Sequence, residues 1–144
     1  MTEPVYTAKA HVTGGRAQGH GKTASGSLDL QLRPPRESEG RPEGTNPEEL
    51  FAIGYAACFE GALGAAARRS GAEAGDASID SRVMLFPKDG GGFYLGAALD
   101  VTLPSVDGDD AVELVRAAHG MCPYSNAIRG NVNVELTANG QPVE

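Results

Sequence analysis

Residues 46–69, NPEELFAIGYAACFEGALGAAARR, decide the fold: they carry a long helical pattern and hold one of the two cysteines, Cys58, near its middle. Asn46 suits an N-cap and Pro47 the first helical position, and Glu49, three residues past the cap, can turn its carboxylate back to the cap amide. Leu50, Gly54, Ala57, Cys58, Gly61, Ala62 and Ala65 recur at three- and four-residue intervals, which predicts one narrow apolar face turned inward. Gly54, Gly61 and Gly64 would each weaken a solvated helix by about 1 kcal/mol relative to alanine, so close packing against the small-residue stripe is the expected compensation. On these grounds alone Cys58 fills a tight contact, as free cysteine commonly does. It also lies too far from the helix start for the dipole to stabilise a thiolate, so a reactive Cys58 needs a cation from elsewhere.

The surrounding composition narrows the class. A chain of 144 residues with 40% hydrophobic content has the size of a single domain with a real core, residues 1–144. A formal net charge of −7 with scattered Lys and Arg argues against nucleic acid or an anionic membrane surface as partner. No apolar run is expected to reach membrane-spanning length, and MTEPVYTAKA lacks the apolar segment of a signal peptide, so a cytoplasmic location is expected. The two cysteines form neither a CxxC pair nor a metal pattern. Because cytosolic disulfides are more often catalytic than structural, they raise a redox function.

Outward from the helix, Val5–Val12 alternates as a first strand, residues 13–22 (TGGRAQGHGK) form a turn, and Ser25–Leu32 alternates again through Leu28, Leu30 and Leu32. Arg16, in that turn, has the ordinary aspect of a solvated loop arginine. The glycines there do not make a phosphate loop, since the GK[ST] ending is missing and the turn joins two strands. Residues 33–45 are a polar crossing rich in Pro and Gly. Beyond the central helix, Ile79–Phe86 and Phe93–Leu103 form two strands about PKDGGG, with Phe93, Leu95, Ala97, Leu99, Val101 and Leu103 as the inner face. Asp107 is expected to cap a second helix with Asp109 and Asp110 in its first turn, His119 as a charge in its last and Gly120 as its stop. Cys122, just before Pro123, would open a short third helix, whose amides and dipole favour a negative sulfur. Val132, Val134 and Leu136 close the chain as a strand. Five strands and three helices in mixed order predict an α+β fold. The histidines are dispersed and no metal site is expected.

Three separated motifs, TGGR (13–16), GTNPEELFAIGYAACFEGAL (44–63) and HGMCPYSNAIRGNVNVEL (119–136), resemble the Ohr branch of the Ohr/OsmC family, the organic hydroperoxide resistance proteins. The resemblance spans the whole chain and implies antiparallel sheets packed on two main helices in an intertwined homodimer. It implies that Cys58 is the peroxidatic and Cys122 the resolving cysteine, and that Arg16 and Glu48 match the Arg and Glu that accompany the thiolate. A permanently charged guanidinium would supply the missing cation, and Glu48 could hold it through a bidentate contact. Glu60 and Ile128 depart from the family pattern, which usually has an apolar residue and Thr there; Glu60 should point away from the Cys58 face.

The implied activity is a thiol peroxidase that reduces organic hydroperoxides through a Cys58 sulfenic acid and a Cys58–Cys122 disulfide. No bound cofactor is expected. The implied external reductant is a lipoyl dithiol, as lipoamide or a lipoylated protein. Two rivals are the osmotically induced OsmC branch, with different substrates, and a non-catalytic small-ligand binding module with both cysteines as core residues. Helix geometry adds an expectation of its own. Ten residues along one helix put Glu48 and Cys58 ~15 Å apart on the axis and rotated by ~280°, so Glu48 would serve the Cys58 of a second subunit in a homodimer.

Overall fold

The computed structural model describes residues 2–38 and 44–144, which form two compact units divided between Leu50 and Phe51. The first unit is a four-stranded sheet of β1 (Ala10–Thr13), β2 (Gly19–Thr23), β3 (Asp29–Leu32) and β4 (Gly44–Thr45), in that order. The β1–β2 and β2–β3 pairs are antiparallel, whereas β3–β4 is parallel. A single turn, α1 (Pro35–Ser38), lies between β3 and β4. The polar crossing expected over 33–45 thus contains structure at both ends, and its residues 39–43 lie outside the described residues.

The first hairpin is tighter than expected. Gly14 and Gly15 take φ of 77° and 70°, and a Cβ on Gly14 would lie 2.4 Å from the Gln18 carbonyl oxygen. The chain therefore reverses within residues 14–18, and β2 forms inside the segment expected to be turn, with Thr13 opposite His20 and Ala10 opposite Thr23. β2 ends at Thr23, opposite Ala10, and the strand expected from Val5 shortens to Ala10–Thr13. The open face of this sheet is apolar: Ala10, Val12, Leu28, Leu30, Leu32 and Leu50 line a cavity of about 180 Å³.

The second unit carries α2 (Pro47–Ser70), which begins in the first unit and runs on unbroken, then β5 (Ser78–Pro87), β6 (Phe93–Thr102), α3 (Gly108–Met121), α4 (Pro123–Ile128), β7 (Asn133–Ala138) and β8 (Gln141–Val143). Its sheet has the order β5-β6-β7-β8, with β6–β7 parallel and the outer pairs antiparallel. The α+β class stands, but each sheet is mixed rather than antiparallel, and the described residues hold eight strands and four helices rather than five and three. The added elements β2, β4, β8 and α1 are too short or too polar to show a hydrophobic period.

Its core packs Tyr55, Phe59 and Leu63 of α2 and Leu114, Val115 and Ala118 of α3 against Ala97, Leu99, Val101 and Leu103. The inner face of β6 is buried from Ala97 onward, while Phe93 at its start is exposed. On α2 the buried residues are Tyr55, Phe59, Ala62, Leu63, Ala66 and Ala67, so the expected inward stripe is corrected: Leu50, Ala57 and Gly61 are exposed. The helix is apolar nearly all round, and the largest side chains, not the smallest, claimed the core. By length and apolarity alone α2 is also able to cross a membrane, contrary to the sequence expectation; its packed face is that of a core helix.

Two ends differ or agree for clear reasons. Asn46 caps α2, its Oδ1 accepting the Glu49 N–H at 2.9 Å, while the Glu49 carboxylate accepts the Thr45 hydroxyl at 3.0 Å. Gly120 does not stop α3, which runs to Met121. Cys122 is extended (φ −68°, ψ 123°) because the ring of Pro123 disfavours helical geometry in the residue before it.

Candidate active site

Cys122 sits at the α3–α4 junction, fully buried, and Cys58 is half-buried on α2; both are free thiols. The fold brings them together: the Cys122 side chain and the Tyr124 backbone N–H lie close enough to the Cys58 thiol to act on its protonation. That amide belongs to the first turn of α4, whose N–H groups lack partners within the helix. The amide at the α4 start thus lies at Cys58, whereas the sequence had suggested that it would serve Cys122. Burial nevertheless pushes the Cys58 thiol above its ordinary 9.0; the Tyr124 N–H opposes the shift and the Cys122 thiol adds to it. None of these groups is a cation.

Arg16 and Glu48 are also brought together, in the first unit. Arg16 Nη2 lies 2.5 Å from Glu48 Oε1, with Glu48 the better buried of the two. The contact is one-pointed rather than the two-point fork expected of guanidinium and carboxylate. Glu48 occupies the first turn of α2, where a negative charge is favoured, and Cys58 follows ten residues later on the same continuous helix. Glu60 is exposed, as its rotation from Cys58 predicts.

Several residues that sequence reasoning passed over complete the thiol site. Tyr55 is wholly buried, and its hydroxyl lies 2.7 Å from Ser125 Oγ; Ser125, equally buried, lies 2.9 Å from His119 Nδ1. Burial, and secondarily the charge of Arg129, pushes the His119 pKa below 6.5, so His119 is a neutral member of this chain and not the helix-terminal charge expected. Burial likewise raises the Tyr55 phenol, against the Ser125 bond, and the nearby thiols add to the rise. Tyr124 stacks on Tyr55 with centroids 5.9 Å apart and meets Phe51 edge-on at 5.9 Å, giving the site an aromatic wall. Gly54 makes room for that wall: a Cβ there would lie 2.8 Å from the Tyr124 hydroxyl. The only sequence signal for this cluster was an aromatic residue, Tyr55, within a run of small ones.

A dithiol in contact, with one sulfur reachable and the other enclosed, can exchange two electrons with an oxidant by closing to a disulfide. Among the described residues no group of three or more His, Cys, Asp or Glu is disposed to hold a metal.

The chain is similar to known proteins along most of its length. The family model described as OsmC-like protein matches residues 39–137. Organic hydroperoxide resistance protein OhrB of Bacillus subtilis is 46% identical over 133 residues, covering 92% of this chain and 96% of that one. The organic hydroperoxide resistance protein of Xanthomonas axonopodis pv. citri is 46% identical over 135 residues, covering 92% and 94%. The crystal structure of Bacillus subtilis OhrB superposes with a TM-score of 0.86 at 45% identity, covering 93% of this chain and 98% of that chain. With matching fold, matching length and near-half identity, the chain belongs to the Ohr/OsmC family, in the branch of the organic hydroperoxide resistance proteins.

Proposed function

We propose that the chain is a thiol peroxidase that reduces organic hydroperoxides to alcohols. The observation that carries this is the contact between a half-buried and a fully buried thiol, Cys58 and Cys122, in a chain nearly half identical to proteins named for organic hydroperoxide resistance. The Cys58 thiolate attacks the outer peroxide oxygen, the O–O bond breaks, and the alkoxide leaves and takes a proton as the alcohol. Sulfur is oxidised by two electrons to a sulfenic acid. Cys122 then attacks that sulfur, forming the disulfide and releasing water. A lipoyl dithiol, free or protein-bound, returns both sulfurs to thiols by two exchange steps and becomes the cyclic disulfide. The aromatic wall of Phe51, Tyr55 and Tyr124 favours alkyl over hydrogen peroxide, since each buried methylene stabilises binding by ~0.8 kcal/mol.

Burial raises the Cys58 pKa, and a nearby cation would favour the thiolate at neutral pH. We assign that role to Arg16 held by Glu48, supplied by the partner in a homodimer, because an unbroken α2 separates Glu48 from Cys58 of its own chain by nearly three turns. The open apolar face of the first unit and the exposed Ile53, Ala57 and Gly61 of α2 support a second copy as their cover. The activity suits a cytoplasmic location, where thiols are kept reduced.

Adding one equivalent of an alkyl hydroperoxide to the reduced protein and counting thiols tests the chemistry. Loss of both is expected; retention of both would make the chain a binding module with two structural cysteines. Mixing and refolding Cys58→Ser with Glu48→Ala tests the shared site. Partial recovery of activity is expected, and inactive heterodimers would place each site within one chain.

A further inference from the structure

We propose that Tyr55, Ser125 and His119 form a three-point clamp that holds Cys122 against Cys58 and thereby sets the rate and stability of disulfide closure. The inference rests on the disulfide step of the proposed function. It adds three positioning residues to it.

The spacing is the first ground. Tyr55 precedes Cys58 by three residues on α2, His119 precedes Cys122 by three on α3, and Ser125 follows Cys122 by three on α4. Each is therefore about one helical turn from a cysteine. The Ser125 hydroxyl, with one proton and two lone pairs, joins all three helices through Tyr55 Oη and His119 Nδ1. One proton order satisfies the chain: the Tyr55 hydroxyl donates to Ser125 Oγ, whose own proton goes to Nδ1 of the neutral imidazole.

Apart from apolar packing and the Tyr124 ring on Tyr55 and Phe51, the hydroxyl chain is what ties Cys122 to α2 by directional side-chain bonds. Cys122 is extended between two helices, its N–H bonded to the Ala118 carbonyl and its carbonyl accepting the Asn126 N–H, so both backbone bonds stay within α3 and α4. Arg129 ties α4 back to the last turn of α3, donating to the His119 carbonyl at 2.6 Å. The hydroxyl chain then links that α3–α4 corner to α2. Ring closure gains from this link. The Cys122 sulfur must meet the Cys58 sulfur as the S–O bond of the sulfenic acid breaks, the departing hydroxide taking the proton that Cys122 gives up and leaving as water. An intramolecular step of this kind is sensitive to small errors in placement.

The test uses the intact protein and cumene hydroperoxide as the probe. Ser125→Ala and His119→Leu are mixed rapidly with one equivalent, and the Cys58 sulfenic acid is trapped with dimedone at increasing delays. Its lifetime should lengthen by about five- to tenfold, the effect of losing one net hydrogen bond, while the rate of the first oxidation stays within about twofold. A second arm needs no peroxide: equilibrium with dithiothreitol should show the Cys58–Cys122 disulfide about five- to tenfold easier to reduce. His119→Asn, which keeps a hydrogen-bonding group near the Nδ1 position, should recover most of both effects. If Ser125→Ala does not fold, Tyr55→Phe, which removes only a hydroxyl, carries the same expectations for the sulfenic acid lifetime and the disulfide equilibrium, with no condition on the first oxidation because its ring lines the peroxide site. Unchanged lifetime and unchanged disulfide equilibrium in folded variants would overturn the clamp, as would equal losses in His119→Leu and His119→Asn. A parent protein that forms no sulfenic acid with peroxide would instead overturn the peroxidase function, and the dithiothreitol arm would still judge the clamp.

Discussion

Replacing Ser125 by alanine should destabilise the reduced protein, and a second deletion should then restore part of the loss. Ser125 is fully buried, and its one hydroxyl partners Tyr55 at 2.7 Å and His119 at 2.9 Å. Its removal strands the fully buried Tyr55 hydroxyl, at a cost of ~1–3 kcal/mol. The half-buried His119 ring can find water and loses ~0–1 kcal/mol. A total of about 1–4 kcal/mol corresponds to a fall in Tm of roughly 3–13 °C for a chain of this size. Adding Tyr55→Phe to Ser125→Ala removes the stranded hydroxyl, and replacing both partners by apolar groups is nearly neutral, so the double variant should be ~1 kcal/mol more stable than Ser125→Ala alone. Equilibrium urea denaturation followed by circular dichroism, under a reducing dithiol and at one fixed protein concentration, measures all four proteins. A double variant less stable than Ser125→Ala by the full cost of Tyr55→Phe would show that the hydroxyls are not coupled, and the buried chain would lose its energetic basis.

Cys58→Ser should abolish peroxide consumption, whereas Cys122→Ser should consume one equivalent and stop at the sulfenic acid; mass spectrometry after stopped-flow oxidation separates them, and multiple turnover by Cys58→Ser would reverse the assignment. Arg16→Ala should move the pH profile of Cys58 alkylation upward, because the environment of Cys58 raises its pKa and the proposed cation offsets it; an identical profile would return Arg16 to a solvated loop residue. His119, whose pKa is lowered from 6.5 by burial and then by Arg129, gives a pH dependence of stability. The unfolded chain binds the proton more readily, so this contribution is fully present above about pH 6.5, falls as pH drops below it, and levels off once the folded-state histidine is also charged. In His119→Asn that slope, read from urea midpoints between pH 5 and 7, should flatten; an unchanged slope would assign it to other groups.

Local chemistry was legible in the sequence where neighbours along the chain decide the outcome. Asn46 and Pro47 set the start of α2, alternation marked β5 and β6, and Pro123 forced the break that leaves Cys122 between two helices. The two cysteine segments and the TGGR turn carried the family. Whichever face of α2 enters the core was not legible, because a helix apolar nearly all round has no preferred side until its partners arrive; Tyr55, Phe59 and Leu63 then filled the space opposite β6 and α3. The parallel β6–β7 pair, the Tyr124 amide on Cys58 and the Tyr55–Ser125 bond across 70 residues likewise arose only on packing. Each depends on distances between segments remote in the chain, which no local periodicity encodes. The sequence alone therefore determined which residues carry the thiols and which helices bear them, and the tertiary structure decided that the thiols meet, what surrounds them and what holds them in contact.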